Sequence, residues 1–576
     1  MKKIINKKTK IIVLMIALLS VMSCSDDFLN VVPEGSYTVD NFYASNDALK
    51  AGCNPLYNRA WFSFHERAWL GMGSIRAWDA FNPSFTNNFS LFRTAATDRE
   101  VVYSRSAIYT AVAFANDIIE AVKSKCGPAV TQEAKNTALG EAYLTRGTAY
   151  FFGLRIWGPM ILSESNTDMI LHPIRKLNPE IDVLNFAIRD FRKAAEYLPE
   201  KDATGRATLW AAKAMLAKAL LARSGWNKNG APRDAADLAE CIAVCEDVID
   251  RSGLKLLDNY ENLFRYQYNI NPESLYAMRW IQGSTSDHWG DINTMLSDLT
   301  WPAMMGDDDI SVWGLGFCPS VDMIELYNEE PWNCDRIRRK ATFFVPGEHY
   351  DYLWSAHGGY DYEEDWMRVK KGVPGRQEDN DGKLYTMSST LDTYIIRLAD
   401  VYLMHAEASL GNADELTGGR GLETFNALRN RAQVSPKDKI TFEDIIKERR
   451  IEFCMECQTW FEMITWYRWK PDYMLDYLNN KLRRVQINSG GIRKQASGKI
   501  DWWPADGPRD PDNPDDNTNK IWNSLEGYSH TIYDNFPLIT ANNLFIPYPE
   551  NDRLQNPNLS RDKETEPYDF NKYGSE

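Results

Sequence analysis

The sequence predicts a mainly α-helical protein, built from degenerate helix pairs of the tetratricopeptide type and interrupted by large irregular insertions. Three observations predict it. Apolar residues recur at steps of three and four over long stretches, as one face of an amphipathic helix requires. These stretches come in pairs that repeat at about 34 residues. Two regions, Ser63 to Thr97 and Leu254 to Tyr385, lose that period and are dense in Trp, Tyr, Gly, Asn and Asp, too polar to be core throughout.

In chain order, a first helix is expected over Asn46–Arg59. A hairpin follows over Ile108–Lys123 and Glu133–Trp157, its halves ended by Gly127-Pro128 and Gly158-Pro159. A second pair covers Val183–Pro199 and Gly205–Ala222, the latter nearly all Ala and Leu, so that its axis can approach its neighbours closely. Asp234–Ile249 gives one more helix. After the second irregular region, Thr393–Leu410 reads as one amphipathic helix. Thr441 then opens another, with Asp444 placed to reach back to its amide, and no Gly or Pro interrupts it before Trp469. Its first half crowds Glu448, Arg449, Arg450, Glu452 and Glu456 together. Such alternating charge reads as ion pairing, on a solvated face or against a neighbouring helix, with catalysis by Glu448 or Glu452 as the minor alternative. The Pro/Asp/Asn-rich stretch after Trp503 reads as a solvated loop.

Residues 1–23 carry an export signal. Lys2, Lys3, Lys7, Lys8 and Lys10 precede an apolar run, Ile11 to Val21, that is too short to span a bilayer. The net charge is -15; without that segment, 60 basic residues face 80 acidic ones, and a phosphate-binding role in nucleic-acid recognition is disfavoured. Cys454 and Cys457 have CxxC spacing but fall in an apolar helical pattern with no second pair, so they read as buried small side chains. None of the seven His sits in a metal-binding pattern, and Asp307, Asp308 and Asp309 lack the Gly and Glu of a helix-loop-helix calcium site. No metal and no cofactor is expected.

Five stretches carry a family resemblance. Arg397–Ala408 (RLADVYLMHAEA) and Glu448–Met463 resemble paired C-terminal motifs of the SusD/RagB outer-membrane nutrient-binding lipoproteins, with Cys457, Thr459 and Glu462 departing from the usual Gly, Arg and Asp. GEAYLTRGTAYFFGLRIWGP (Gly140–Pro159), the VWGLGFCPSVDMIELY link with Pro319 and Tyr327, and the terminal Ile546–Leu559 stretch resemble the same family in the same order. The resemblance divides the chain into a signal peptide (1–23), an N-terminal helical region (24–250) and a C-terminal region (251–576) that joins it in one compact unit. Val21, Met22, Ser23 and Cys24 resemble a lipobox, with Cys24 as the acylated residue, and Ser25, Asp26 and Asp27 resemble a surface-export signal.

The resemblance implies a lipid-anchored protein on the outer face of the outer membrane. It implies capture of a glycan and its delivery to a SusC-like TonB-dependent transporter. It also implies that the irregular insertions form the ligand face. Within them, Trp78, Trp289, Trp301 and Trp313 are the candidate stacking platforms for sugar rings, and Arg76, Asp79, Asn82 and Asn88 the candidate hydroxyl partners. No nucleophile, base and orienting acid can be placed by spacing, so binding is expected rather than catalysis. A peptide or other nutrient on the same scaffold is the alternative. A glycoside hydrolase is less favoured, since Glu363, Glu364 and Asp365 are merely adjacent and not set across a cleft.

Overall fold

The computed structural model describes residues 42–81, 87–281, 317–327, 335–345, 348–362, 367–383, 389–481, 492–494, 500–502 and 538–572. Its frame is a series of helices: α1 (Asn46–Gly52), α2 (Arg99–Ser124), α3 (Gln132–Trp157), α4 (Glu180–Tyr197), α5 (Leu209–Gly225) and α6 (Ala235–Arg251). From α2 onward each packs on the next. The ends of α3 and α6 follow the sequence signals, whereas α1 stops at Gly52, short of the expected Arg59, and α2 starts at Arg99, before the expected Ile108. Thr131 Oγ1 accepts from Ala134 N at 3.2 Å at the start of α3, Gly158 closes it at φ +85°, and Asp234 caps α6 through two backbone amides. The second half of α3 is buried on every side, which makes it the axis of the N-terminal half.

Beyond α6 the chain makes β2 (Ser274–Met278), β3 (Cys318–Pro319), α7 (Val321–Tyr327), α8 (Arg336–Thr342), β4 (Phe343–Phe344), β5 (His349–Tyr350), β6 (Tyr360–Asp361) and β7 (Arg368–Val369). It then returns to the helical array. After β8 (Thr393–Arg397), α9 (Leu398–Leu410) packs on α6, and α10 (Arg420–Arg431) packs on α9. The repeat therefore continues across residue 250, with the irregular region inserted between two adjacent helices.

Two expected helices are corrected. Residues 393–397 are not helical: they pair antiparallel with β2, from Ser274↔Arg397 to Met278↔Thr393, and all five are buried. TYIIR is rich in β-branched and aromatic residues, and a strand partner was available 120 residues upstream. The segment from Thr441 is two helices, α11 (Phe442–Glu452) and α12 (Thr459–Trp469). Thr441 and Asp444 do form the expected capping box. The break holds Met455 and Cys457 in the left-handed region, at φ +62° and +59°. Cys454 and Cys457 are fully buried free thiols, as expected, but lie in this break rather than inside a helix.

The charged face of α11 is buried. Glu452, fully inaccessible, meets three guanidiniums: Arg338 of α8 at 2.8 Å, Arg397 of β8 at 2.7 Å, and Arg431 of α10. Burial alone would raise its carboxyl, yet the three cations hold it well below the usual carboxylate range. Arg338 also pairs with Glu448 at 2.6 Å, and Arg397 with Glu273 at 2.7 Å and Glu456 at 2.8 Å. Arg449 reaches Asp400 at 2.6 Å, which Lys218 of α5 also binds at 2.6 Å. Of the two forms of ion pairing open to the sequence, the interior one is found.

The break packs on the first irregular region. A Cβ on Gly73 would lie 2.0 Å from the Cys457 carbonyl oxygen, so only glycine lets the two backbones touch there. Cys457 N donates to Ser74 Oγ at 3.2 Å, while Asp79 Oδ2 accepts from Thr459 Oγ1 at 2.9 Å and from Met455 N at 3.4 Å. Burial pushes the Asp79 carboxyl up to about 6, against the pull of Arg450 and its hydrogen bonds. Because this pKa lies above the ordinary 3.8, the charged form costs stability at neutral pH, and the cost fades as pH falls from about 6 toward 4. Asp79→Asn, which keeps an acceptor and removes the charge, is expected to stabilise the fold at pH 7.5 by about 2–3 kcal/mol. That gain should shrink below about 1 kcal/mol near pH 4. Paired urea-unfolding curves at the two pH values check this; a difference independent of pH contradicts it.

Candidate ligand-binding face

β1 (Ala80–Phe81) pairs antiparallel with β3, Phe81 opposite Cys318 and Ala80 opposite Pro319. This short ladder joins the roots of the two irregular regions that the sequence singles out. It is tied down from both sides. Ser320 Oγ donates to the Trp78 carbonyl at 2.5 Å and accepts from Met323 N at 3.2 Å, while Val369 N of β7 donates to the Phe317 carbonyl at 2.7 Å. Asp322, two residues further on, pairs with Arg450 of α11, which also donates to Tyr477 Oη at 3.0 Å.

Three of the predicted ligand residues belong to this foundation and not to a surface, which corrects their assignment. Trp78 is 0% exposed, packs in a core with Trp460, Ile464 and Trp466, and donates its Nε1–H to the Ser90 carbonyl at 3.0 Å. No ring face is left for a sugar. Asp79 is equally buried under the break. Arg76, 1% exposed, stacks its guanidinium 4.3 Å from the Phe92 ring centre and 5.0 Å from that of Trp460, and donates to the Asn543 carbonyl. Burial and the nearby Arg561 lower its pKa to about 9. Asn88 is exposed and donates to Asp98 Oδ2 at 3.0 Å. Asn82, Trp289, Trp301 and Trp313 lie outside the described residues, as do Cys24, the Asp307–Asp309 triple and Glu363 to Asp365.

A second aromatic group hangs from the same strands through the β4–β7 pairing of Phe343 with Val369. Phe344, Tyr350, Leu353 and Tyr362 form its core, and Tyr352, Trp354 and Tyr360 are half-buried at its edge. Trp354 is left-handed, at φ +55°, and the Asp379 carboxylate holds it there by accepting from Trp354 N, Ser355 N, Ser355 Oγ and Arg376 N at 2.8–2.9 Å. Arg376 lies 4.0 Å from its ring centre and Tyr360 meets it edge-on at 4.8 Å. The composition of the YDYLWSAHGGYDY stretch was the available signal for this group. Among the described residues no group of three or more His, Cys, Asp or Glu is arranged to hold a metal ion, and no helix is long and apolar enough to cross a membrane.

Residues 272–564 match the model of the SusD family, and residues 68–221 match one described as starch-binding and associating with the outer membrane. A SusD-like protein of Bacteroides ovatus is 43% identical over 566 residues, 98% of this chain and 99% of its own. A crystal structure described as holding a xylogluco-oligosaccharide is 41% identical, with a TM-score of 0.78 over 91% of this chain and 100% of that one. A laminarin-binding SusD-like protein has the same fold at 18% identity, with a TM-score of 0.60 over 89% and 98% of the two chains. The chain belongs to the SusD family.

Proposed function

We propose that the protein is a cell-surface receptor that captures a neutral β-linked glucan of the xyloglucan type and passes it, chemically unchanged, to a TonB-dependent outer-membrane transporter. The observation that carries this reading is full-length similarity, at 41% identity, to a protein whose structure is described with xylogluco-oligosaccharide. The physical setting supports it. The roots of both aromatic-rich insertions are joined at β1–β3 and fixed by buried groups, so side chains borne on them are presented from a rigid base, which lowers the ordering cost of binding. Trp289, Trp301 and Trp313 remain the proposed stacking platforms, and Trp78 takes a supporting role in the buried base.

A screen of purified protein against xyloglucan, other plant polysaccharides and peptide mixtures by calorimetry is expected to select xyloglucan, with no reducing ends released. Trp289→Ala, Trp301→Ala and Trp313→Ala should each weaken binding by about 1–3 kcal/mol with the melting temperature unchanged, by analogy with stacking on nucleic-acid bases. Trp78→Ala should instead destabilise the fold by about 3–5 kcal/mol. Binding of peptide with no response to glucans would replace the ligand class, and release of reducing ends would overturn the non-catalytic reading.

The lipid anchor at Cys24 and the transporter partner belong to the same proposal, resting on the charged, apolar and lipobox segments in order. One chain-linked lipid group holds a protein only marginally, so stable residence requires further acyl chains or a partner. In cells fed a fatty-acid analogue, the wild-type protein is expected to label and to co-purify with a barrel transporter from detergent-solubilised outer membrane. Cys24→Ala protein that still labels, or wild-type protein recovered alone under conditions that keep membrane complexes intact, contradicts this part.

A further inference from the structure

Between α3 and α4 the chain turns a corner whose apolar side chains stand in water. A short helix, Asn166–Leu171, leads into a loop, and residues 170–174, ILHPI, are all exposed. Ile170, Leu171 and Ile174 are 78%, 67% and 63% exposed, and no other five consecutive residues among those described hold three large aliphatic side chains in solvent. The corner is nevertheless firmly seated. Met169 packs on the core, Asn166 Nδ2 donates to the Ala113 carbonyl of α2 at 2.9 Å and to Asp117 Oδ1 at 2.8 Å, and Asn556 Nδ2 donates to the Arg175 carbonyl at 2.8 Å. The ions beside it are paired with one another: Asp168 meets Arg175 at 2.6 Å and Lys572 at 2.9 Å, and Lys176 meets Glu564 at 2.6 Å. The result is a fixed apolar projection with compensated charge around it.

Clustered exposed aliphatic side chains mark a contact surface more often than isolated ones do. A stable contact with a second copy or another protein takes about 800 Å² from each side, which these three side chains alone do not supply. A lipid surface sets no such threshold, because each methylene that leaves water contributes separately. The course of the chain points the same way. The Tyr43 carbonyl accepts from Gly127 N at 2.9 Å, which ties the segment leading back to Cys24 to the C-terminal end of α2. The corner is seated on α2 at Ala113 and Asp117, roughly 10–17 Å before that end. From Cys24 to Tyr43 the chain reaches at most about 65 Å. An acyl group on Cys24 therefore keeps the corner within reach of the layer that holds it.

We propose that Ile170, Leu171 and Ile174 enter the lipid surface that holds the acylated Cys24, as a second contact that fixes how the protein sits on the membrane. The inference rests on the lipid anchor proposed above. A single acyl signal holds a protein weakly and leaves it free to tumble about its tether, whereas a second apolar contact strengthens the hold and selects one orientation.

The test uses vesicles of phosphatidylethanolamine and phosphatidylglycerol. Hydrogen exchange, read by mass spectrometry on the acylated protein bound to them, is expected to slow in residues 166–176 relative to Cys24→Ala protein in buffer. The slowing should vanish when Ile170→Ser, Leu171→Ser and Ile174→Ser are combined, with the melting temperature unchanged because none of the three side chains is buried. The same triple change made in Cys24→Ala protein should lower its flotation with the vesicles by at least about tenfold. Acylated protein that floats while residues 166–176 exchange as in buffer overturns the corner and leaves the anchor standing. A wild-type chain that carries no lipid removes the anchor, and flotation then decides: equal partition with and without the triple change overturns the corner as well. Slowing that appears with a co-purified transporter and not with vesicles gives the patch to a protein and overturns the proposal.

Discussion

The packing of α8, β8, α10 and α11 depends on ion pairs that are buried rather than solvated. Glu452 is the centre, because its one carboxylate faces cations from α8, β8 and α10 at once. Ions removed from water to this extent are tolerated only when each is met by opposite charge and by hydrogen bonds in good geometry. Here Glu273, Glu448 and Glu456 complete the shell around the same arginines. The arrangement constrains placement: α8, α10 and β8 cannot shift independently without stranding a charge.

That constraint reaches the β1–β3 ladder through α11. Arg450, next but one to Glu452, holds Asp322 at the start of α7, and the break after α11 seats itself on Gly73, Ser74 and Asp79. Both strands of the β1–β3 ladder are therefore flanked by residues, Asp79 and Asp322, that this segment holds. A binding surface of the kind proposed needs such a base, since a rigid support lowers the ordering cost of binding. The price in stability is visible at Asp79 and Arg76, two charged groups buried for the sake of position.

Much of this was legible from the chain. Helices α2 to α6 announce themselves through an unbroken period, with the Thr131 and Asp234 caps and the Gly158-Pro159 stop marking ends of α3 and α6, and all of these are local signals. The capping box at Thr441 is of the same kind. The strand at Thr393–Arg397 was not legible as a strand, because Ile395 and Ile396 are both buried and a doubly buried strand shows no alternation before a helix. Nor was the break at 453–458: its left-handed residues are Met455 and Cys457, where a glycine would have given notice, and they are stabilised by side chains nearly 400 positions away. Trp78 was misassigned for a related reason. A tryptophan in an aperiodic stretch looks like a surface platform, and only its burial in the core that also holds Trp460 and Trp466 shows otherwise. Asp79 and Arg76 share that history.

Glu452 joins three elements by charge in the interior. Replacing it with Gln keeps the shape and leaves Arg338, Arg397 and Arg431 short of one negative charge. Equilibrium unfolding in urea, read by tryptophan fluorescence, is the direct measurement. Glu452→Gln is expected to lose about 3–5 kcal/mol, the range for breaking a buried pair from one side. A loss below about 1 kcal/mol, as for a solvated surface bridge, would contradict it.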